Sequence, residues 1–401
     1  NSNNVDPNNQ YSLYASDRNY SFYQTLGQAS GTSEGFAASR IGNPDAKWET
    51  STTLNIGFDA SFFNNKLEFI FDWWQKDTED LLYQLPLPGV TGNYASAPSV
   101  NIATMSNKGV DFEIIGRGNF TEDFSFEARV TAAFLTNEIE ALAPGLEFFD
   151  GPSVRDIVAT RNAVGHSLSS FYGYNVTGYF NSQAELDAST YVNEEGDTVD
   201  AQDGQGLGRF KYEDINGDGR ITSDDRKFLG SPVPDFTGGL TLNFKYKKLE
   251  FETYWYTSIG NEIWNQTKWY TDFYGVFEGS AKGPAAFNSW TPELGNNAEV
   301  VRWESASNFS TNTVGNSWYV EDGSYLRLQR LSFSYDFRGD LTDKLGLTKL
   351  KIGLSANNIW TYTNYSGIDP GVGGGADTNF GIDIGNYPVG PQYMINFEIG
   401  I

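Results

Sequence analysis

Residues 214–225, DINGDGRITSDD, place carboxylate and amide side chains around a glycine at a spacing that could bind a cation. Gly219, at position 6, would supply the sharp turn of such a loop. The oxygen ligands would come from positions 1, 3, 5, 7 and 12, which are Asp214, Asn216, Asp218, Arg220 through its backbone carbonyl, and Asp225. Because hard cations prefer several oxygen ligands, the sequence predicts a Ca²⁺ site here.

Position 12 departs from the common Ca²⁺ loop, since Asp225 stands where glutamate is usual. The shorter side chain can bind through one oxygen or accept a smaller ion, so Mg²⁺ remains open. The alternative is a turn without an ion, because aspartate and asparagine side chains also accept hydrogen bonds from turn backbone N–H groups. Neither interpretation implies catalysis.

Composition excludes several classes of protein. The 401 residues contain no cysteine and a single histidine, His166, which excludes a disulfide framework and zinc sites built from several imidazoles. The net charge of −24 disfavours nucleic acid as a partner, because phosphate contacts need a basic surface. No pair of carboxylates can be assigned across a scissile bond, so we expect that the protein is not an enzyme.

Alternation of apolar and polar residues with a period of two predicts an all-β protein. In FSFEARVTAAF, residues 124–134, one face is apolar and the other carries Ser125, Glu127, Arg129 and Thr131. Such stretches often span about 10 to 17 residues, longer than the roughly five or six of soluble strands and long enough for a tilted membrane strand. No apolar run is long enough for a transmembrane helix.

The order of strands and connections indicates a transmembrane barrel. Nine strands are predicted, at 52–62, 66–82, 105–119, 124–138, 237–246, 249–262, 323–337, 349–362 and 391–401. Long segments separate the hairpins, at about 84–104, 139–236, 263–322 and 363–390. Short turns on one side and long loops on the other are typical of outer-membrane barrels. We therefore predict a partial antiparallel β-barrel with long extracellular loops.

The direction of the strands across the membrane then determines the predicted domain organisation. If the short turns are periplasmic, residues 1–51 form an extracellular loop and 52–401 form the C-terminal part of a barrel whose other strands lie upstream, on this or a separate chain. Residues 139–236 become a long extracellular loop that carries the cation site. The strand-like stretch 171–180 is assigned to this loop, because another spanning strand would reverse the polarity.

The 139–236 loop is expected to have little core of its own. Its part from 181 to 235 carries 13 Asp and Glu against 5 Lys and Arg. Ordering such a segment costs conformational entropy and brings like charges together, and a bound cation would offset part of both.

Five of the ten tryptophans fall in the predicted 263–322 loop. Four could stack on a substrate or seat a partner protein, namely Trp269, Trp290, Trp303 and Trp318. The alternative is a small hydrophobic core within the loop, or, for Trp264, a place in the aromatic girdle at the membrane interface.

Several motifs in order resemble SusC/RagA-type TonB-linked outer-membrane transporters. The first is NPDAKWETSTTLNIGFDASFFNNKLEFIFDWWQKDTEDLL at 43–82. The others are SNKGVDFEI at 106–114, DINGDGRITSDDRKFLGSPVPDFTGGL at 214–240, GSYLRLQRLSFSYDF at 323–337 and LKIGLSANNIWTYTNYSGIDP at 350–370. Together the resemblance covers nearly all of the chain from residue 43.

The resemblance implies a barrel of about 22 strands around an N-terminal plug, of which about thirteen strands, the plug and the TonB-binding segment lie outside this chain. It also implies an importer of oligosaccharides or peptides in the outer membrane of a Bacteroidetes-type bacterium, with a SusD-like surface lipoprotein and TonB as partners and lipid around the barrel. The alternative function is a calcium-stabilised cell-surface β protein for binding or adhesion.

Overall fold

The chain, seen in a computed structural model, is described over residues 9–16, 23–24, 32–84, 95–96, 98–373 and 380–401. The remaining parts of the predicted loops 1–51, 84–104 and 363–390 lie outside the described residues. Within the described part, no helix is long and apolar enough to cross a membrane.

One nine-stranded antiparallel sheet dominates the fold, and each strand pairs with its neighbours in sequence. Its strands are β1 Thr50–Phe62, β2 Leu67–Gln84, β3 Ser99–Thr121, β4 Phe124–Leu142, β5 Phe236–Tyr246, β6 Leu249–Ile259, β7 Tyr325–Asp336, β8 Lys349–Thr363 and β9 Gln392–Gly400. The predicted strands and their order are confirmed. The largest differences are the earlier start of β3 and the later end of β4. These two strands pair as far as Ala103 with Leu142, and β3 pairs with β2 as far as Ser99 with Gln84.

The register places one apolar and one polar face on the sheet. Ile56, Trp73 and Val110 lie in one row across β1, β2 and β3 on the apolar face. On the same face Ile56 is 61% exposed and Phe397, in β9, is 64% exposed, which would be unfavourable in water and suits contact with lipid. The opposite, polar face carries Trp74, whose indole N–H donates to Asp111 Oδ2 at 2.8 Å.

The sheet is open within the described residues. β1 and β9 are its two edges, and they do not pair with each other. Unpaired backbone groups along an edge are costly in hydrocarbon, where water cannot satisfy them. The arrangement is that of a portion of a barrel wall.

The long connections fold together at one end of the sheet into a layer that we call the cap, made of residues 143–235, 260–324, 364–373 and 380–391. Its short antiparallel strand pairs are Phe148–Asp150 with Arg161–Ala163, Ser153–Val154 with Ile157–Val158, Phe171–Tyr174 with Arg226–Gly230, Val176–Tyr179 with Phe210–Tyr212, and Thr190–Val192 with Thr198–Asp200. A three-stranded sheet joins Val320–Asp322, Glu262–Asn265 and Ile382–Asp383. The stretch 171–180 therefore belongs to the cap and not to the main sheet.

Short helices and turns complete the fold. The cap helices are Gln183–Ala188 and Thr267–Thr271, and its 3₁₀ turns are Ser223–Asp225, Pro284–Asn288, Gly295–Asn297 and Ser317–Tyr319. Helix Asp340–Leu345 lies in the connection between β7 and β8, at the opposite end of the sheet. Near the start of the chain, Leu13–Ala15 pairs with Ala37–Arg40, and Tyr23–Gln24 with Thr32–Ser33.

The expectation that the long loop would have little core of its own is wrong. Fifteen buried apolar residues form one cluster in the cap, with contributions from 157–212, 264–319 and Ile382. Trp264, Tyr319 and Phe171 are among the largest of its fully buried side chains. The loops are therefore ordered mainly by burial of aromatic surface that each loop supplies to the others.

Candidate functional site

The predicted cation loop connects two strands of the cap, Phe210–Tyr212 and Arg226–Gly230. Asp225 is fully buried, and its two carboxylate oxygens accept the N–H groups of Ile215 at 2.9 Å and Thr222 at 2.8 Å. The Asp225 carboxylate therefore ties the end of the loop back to its beginning.

Asp214 organises the first half of the same loop. Its carboxylate accepts the N–H groups of Gly217 at 2.7 Å and Gly219 at 2.8 Å. Both glycines have left-handed backbone angles, with φ of 74° and 80°, which side chains rarely tolerate. The sharp turn predicted at Gly219 is present.

Asp218 faces Arg220 rather than the other carboxylates. Its Oδ1 accepts the Arg220 N–H at 2.9 Å, and the Arg220 guanidinium lies 3.4 Å from its Oδ2. The Arg220 N–H and the nearby guanidinium lower the pKa of Asp218, so the carboxylate is held in its charged form. Asn216 Oδ1 in turn accepts the Asp218 N–H at 2.9 Å.

The predicted ligands are close in sequence, but their side-chain oxygens do not converge on one point. Among the described residues, no group of three or more carboxylate, imidazole or thiolate side chains is arranged to hold a metal ion. Asp214 and Asp225 are turned to backbone N–H groups, and an ion would require Asp218 to move away from Arg220. The donor types suit Ca²⁺ or Mg²⁺, and the geometry also suits the turn without an ion, so the cation site remains a prediction.

The tryptophans predicted to contact a substrate or partner differ in burial. Trp290 is 5% exposed and its indole N–H donates to Asn181 Oδ1 at 2.9 Å. Trp269 and Trp318 are half-buried against the cap cluster, and their N–H groups donate to the carbonyls of Asn312 and Glu299. These placements match the alternative of a core within the loop.

Trp303 is the tryptophan of this group with the most accessible ring, at 43% exposure. It lies against Tyr274, with ring centroids 5.1 Å apart. Trp264 is fully buried and stacks on Tyr319 at 5.1 Å, so its alternative place in an interfacial girdle is wrong. Surface contact with a ligand in this region remains a prediction for Trp303 above all.

A partly buried ion pair that the sequence analysis missed joins the helix Thr267–Thr271 to the strand Val320–Asp322. Lys268 Nζ lies 3.3 Å from Glu321 Oε1, donates to the Trp318 carbonyl at 2.7 Å and sits 3.9 Å from the centre of the Trp318 ring system. Burial lowers the pKa of Lys268, and the nearby Glu321 opposes that shift. The partners are 53 residues apart in the sequence (321 − 268), and no local pattern links them.

A second ion pair attaches residues 364–373 and 380–391 of the cap to the wall. The Arg327 guanidinium on β7 pairs with Asp369, and its Nε donates to Thr361 Oγ1 at 3.0 Å. Asp369 also accepts the N–H of Val389 at 2.9 Å. Burial alone would raise the pKa of Asp369, but these donors outweigh it and the net shift is downward.

The polar face of the sheet carries a network of opposite charges. Arg117 lies 2.6 Å from both Glu68 and Glu127, which joins β2, β3 and β4. Glu250 on β6 pairs with Lys245 at 3.5 Å and with Lys351 on β8. Mid-strand charges of this kind suit a surface that faces water or a polar filling rather than lipid.

Comparisons with known proteins agree with this geometry. The family described as TonB dependent receptor-like, beta-barrel, matches residues 3–359. TonB-dependent receptor P3 of Formosa agariphila is 31% identical over 364 residues, which are 88% of this chain and 34% of that protein. TonB-dependent receptor SusC of Bacteroides thetaiotaomicron is 23% identical over 353 residues, covering 84% of this chain and 31% of SusC.

A solved structure shows the same fold. A chain of the RagAB peptide transporter superposes with a TM-score of 0.74 at 23% sequence identity, covering 98% of this chain and 39% of that chain. This chain thus spans about a third of the length of the curated relatives that it matches, 34% of P3 and 31% of SusC.

The two-faced antiparallel sheet and the cap at its end define part of an outer-membrane β-barrel. The chain belongs to the TonB-dependent receptor β-barrel family, whose place is the bacterial outer membrane. Members of this family are receptors and transporters rather than enzymes. The alternative of a cell-surface adhesion protein does not match this family.

Proposed function

We propose that this chain is the C-terminal part of the barrel of an importer that moves oligosaccharides or peptides across the outer membrane. The observation that carries the proposal is the nine-stranded sheet with one lipid-compatible face, one charged face and a folded cap at a single end. Such a wall separates lipid from a polar passage, and the cap forms a structured entrance to it. In this arrangement the cap is extracellular and the short turns are periplasmic.

The partners follow from the same proposal. A SusD-like lipoprotein would cover the cap, TonB would supply energy, and the plug and remaining strands would complete the barrel, on this chain or a separate one. The exposed ring of Trp303 and the half-buried Trp269 and Trp318 are the candidate contacts with lipoprotein or substrate in the cap. No reaction is assigned to the protein.

Import is tested in cells that carry the full-length protein with its neighbouring lipoprotein. The expected result is uptake of a labelled oligosaccharide or peptide that is lost when either TonB or this protein is deleted. In detergent, the two proteins should co-purify, and the barrel should migrate faster on gels before heating than after. Uptake that continues without TonB would contradict the proposal.

We further propose that the 214–225 loop binds Ca²⁺, or Mg²⁺ in its place, and that the ion adds local order to residues 181–235. Asp214, Asn216, Asp218 and Asp225 would supply side-chain oxygens and Arg220 its carbonyl. The support is the ligand spacing and the local excess of acidic residues. In the described geometry Asp218 must exchange its Arg220 contact for the ion.

Replacing both Asp214 and Asp218 by alanine is expected to abolish protection of residues 181–235 by Ca²⁺ in limited proteolysis. The physical reason is loss of two ion ligands and of the N–H acceptors that hold the turn. Asp224→Ala is the matched control, because this exposed residue lies outside the predicted ligand set. Equal cleavage of the unsubstituted chain with Ca²⁺ and with a chelator would rule out a structural cation.

A further inference from the structure

The pairing between β6 and β7 and the pairing between β7 and β8 both become irregular beside the same row of residues. Tyr254 on β6, Arg330 on β7 and Asn357 on β8 lie in one row, and the next paired row is Trp255, Leu328 and Trp360. Gln329 therefore has no Cα partner in either neighbouring strand, and Asn358 and Ile359 have none in β7. Asn358 also adopts a left-handed backbone with φ of 53°. Bulges of this kind re-aim side chains and often lie next to binding sites.

A depression of about 530 Å³ lies beside the bulges on the polar face, and its volume is within the usual range of small-molecule sites. Its lining includes Tyr254, the amides of Gln329, Asn357 and Asn358, and the pair Glu252 and Arg330.

The three amides are available for a ligand. None of the three side-chain amides has a hydrogen-bond partner in the described part of the chain. Asn357 Oδ1 is covered by neighbouring atoms, so its Nδ2 is the group that a ligand can reach. Each amide offers two donors and one acceptor oxygen. Three amides at one site can therefore satisfy several hydroxyl groups, each of which both donates and accepts.

Tyr254 supplies a flat apolar surface beside these amides. Its ring lies along the sheet next to Gly239, where an added Cβ would come within 3.2 Å of the ring and 2.6 Å of Thr131 Oγ1. Glycine at this position therefore lets the ring lie close to the wall. The same tyrosine borders a second depression of about 370 Å³, together with Tyr256. Aromatic faces of this kind stack on the C–H face of a sugar ring.

The charges at the site balance. Arg330 Nη1 lies 3.6 Å from Glu252 Oε1, so the two charged residues of the lining form an ion pair with each other. A phosphate, a free carboxylate or an ammonium group would find no unpaired opposite charge there. The lining instead suits an uncharged ligand with many hydroxyl groups.

We infer that this depression binds a neutral sugar unit of a transported oligosaccharide, stacked on Tyr254 and hydrogen-bonded by Gln329, Asn357 and Asn358. The inference rests on the proposed import function and makes it more specific, because it selects oligosaccharide over peptide. It also places a substrate contact on the barrel wall itself, below the cap.

The test is binding of neutral hexasaccharides of glucose, xylose and mannose, with an uncharged hexapeptide as comparison, to the full-length protein in complex with its lipoprotein in detergent. At least one hexasaccharide should bind with measurable affinity by isothermal calorimetry. Tyr254→Ala should weaken that binding about tenfold or more, whereas Tyr254→Phe, which keeps the ring, should stay within about threefold. Asn357→Ala should weaken it several-fold. Ser332→Ala, two residues from Arg330 on the same face, is the matched control and should bind normally.

The outcomes separate this inference from its alternatives. Binding of the peptide alone, or of none of the hexasaccharides, would overturn it, as would unchanged sugar affinity in Tyr254→Ala. Loss of protease protection of the plug in Tyr254→Ala, with sugar affinity kept, would show that the depression seats the plug. TonB-dependent uptake, measured separately in cells, would persist in each of these cases if import is correct and fail if the proposed function itself is wrong.

Discussion

Replacing Trp264 by alanine is expected to unfold the cap and to leave the nine-stranded sheet folded. Trp264 is fully buried, stacks on Tyr319 at 5.1 Å and contacts Phe171 with ring centroids 5.9 Å apart. Its strand, Glu262–Asn265, pairs with both Val320–Asp322 and Ile382–Asp383. The substitution removes the side chain at the junction of three segments, and such changes cost about 3–5 kcal/mol.

The measurement is hydrogen exchange followed by mass spectrometry on the full-length protein in detergent. Peptides from the cap should lose protection in Trp264→Ala, and peptides from β2 to β4 should keep it. Trp303→Ala is the matched control, because that ring is 43% exposed and its removal should change stability by about 0.5 kcal/mol or less. Equal protection of the cap in both variants would show that the aromatic cluster does not hold the loops together.

The wall of the barrel was predictable from the sequence because strand pairing repeats a local pattern. Alternation in FSFEARVTAAF fixes which residues of β4 share a face, and the tight turn before it fixes the partner strand, β3. Strand ends were less certain, since the ends of β3 and β4 continue into the cap region. The lipid-facing row through Ile56 and Trp73 follows from the same alternation.

The cap was not predictable in the same way. Phe171, Phe210 and Tyr319 meet in one cluster although they come from distant parts of the chain, and nothing local marks them as neighbours. The tryptophans gave the one signal, because an aromatic excess in a long loop indicates either a binding surface or a core. Burial now separates these roles, with Trp290 in the core and Trp303 at the surface.

The candidate sites differ in the same way, because one is built from neighbouring residues and the other from residues far apart in the sequence. The 214–225 loop could be proposed from the sequence because its candidate ligands lie within one short stretch. The amide site was missed because Gln329 and Asn357 come together only through bulges in two different strands, and Tyr254 comes from a third. Irregular pairing is set by side-chain packing across strands, which single-strand alternation does not record.

Replacing Glu321 by glutamine is expected to destabilise the cap by about 1–3 kcal/mol at neutral pH, because it leaves the partly buried Lys268 charge without its nearest counter-ion. Glutamine keeps the size of the side chain and can still accept a hydrogen bond from Ser366 N–H, which Glu321 accepts at 2.8 Å. The effect is therefore mainly electrostatic. Asp272, near Lys268, remains as a partial counter-charge.

The stability of the cap in Glu321→Gln is also expected to rise with pH. Burial already lowers the pKa of Lys268, and without Glu321 the pKa in the folded state should fall further below that of the unfolded chain. Between these two values the unfolded state binds more protons, so stability of the cap rises with pH until the unfolded lysine also loses its proton. Hydrogen exchange of Glu321→Gln, corrected for the intrinsic rate, should therefore show a cap that becomes more stable from pH 7 to pH 10 (about 10.4 being the ordinary lysine pKa).

The double variant Lys268→Met with Glu321→Gln is the matched control. It removes both charges while keeping an unbranched apolar side chain beside Trp318, so most of the lost stability should return and the rise with pH should disappear. A double variant as unstable as Glu321→Gln alone would mean that Glu321 acts through its hydrogen bonds to Ser366 and Asn265. The pair would then hold the cap by geometry rather than by charge.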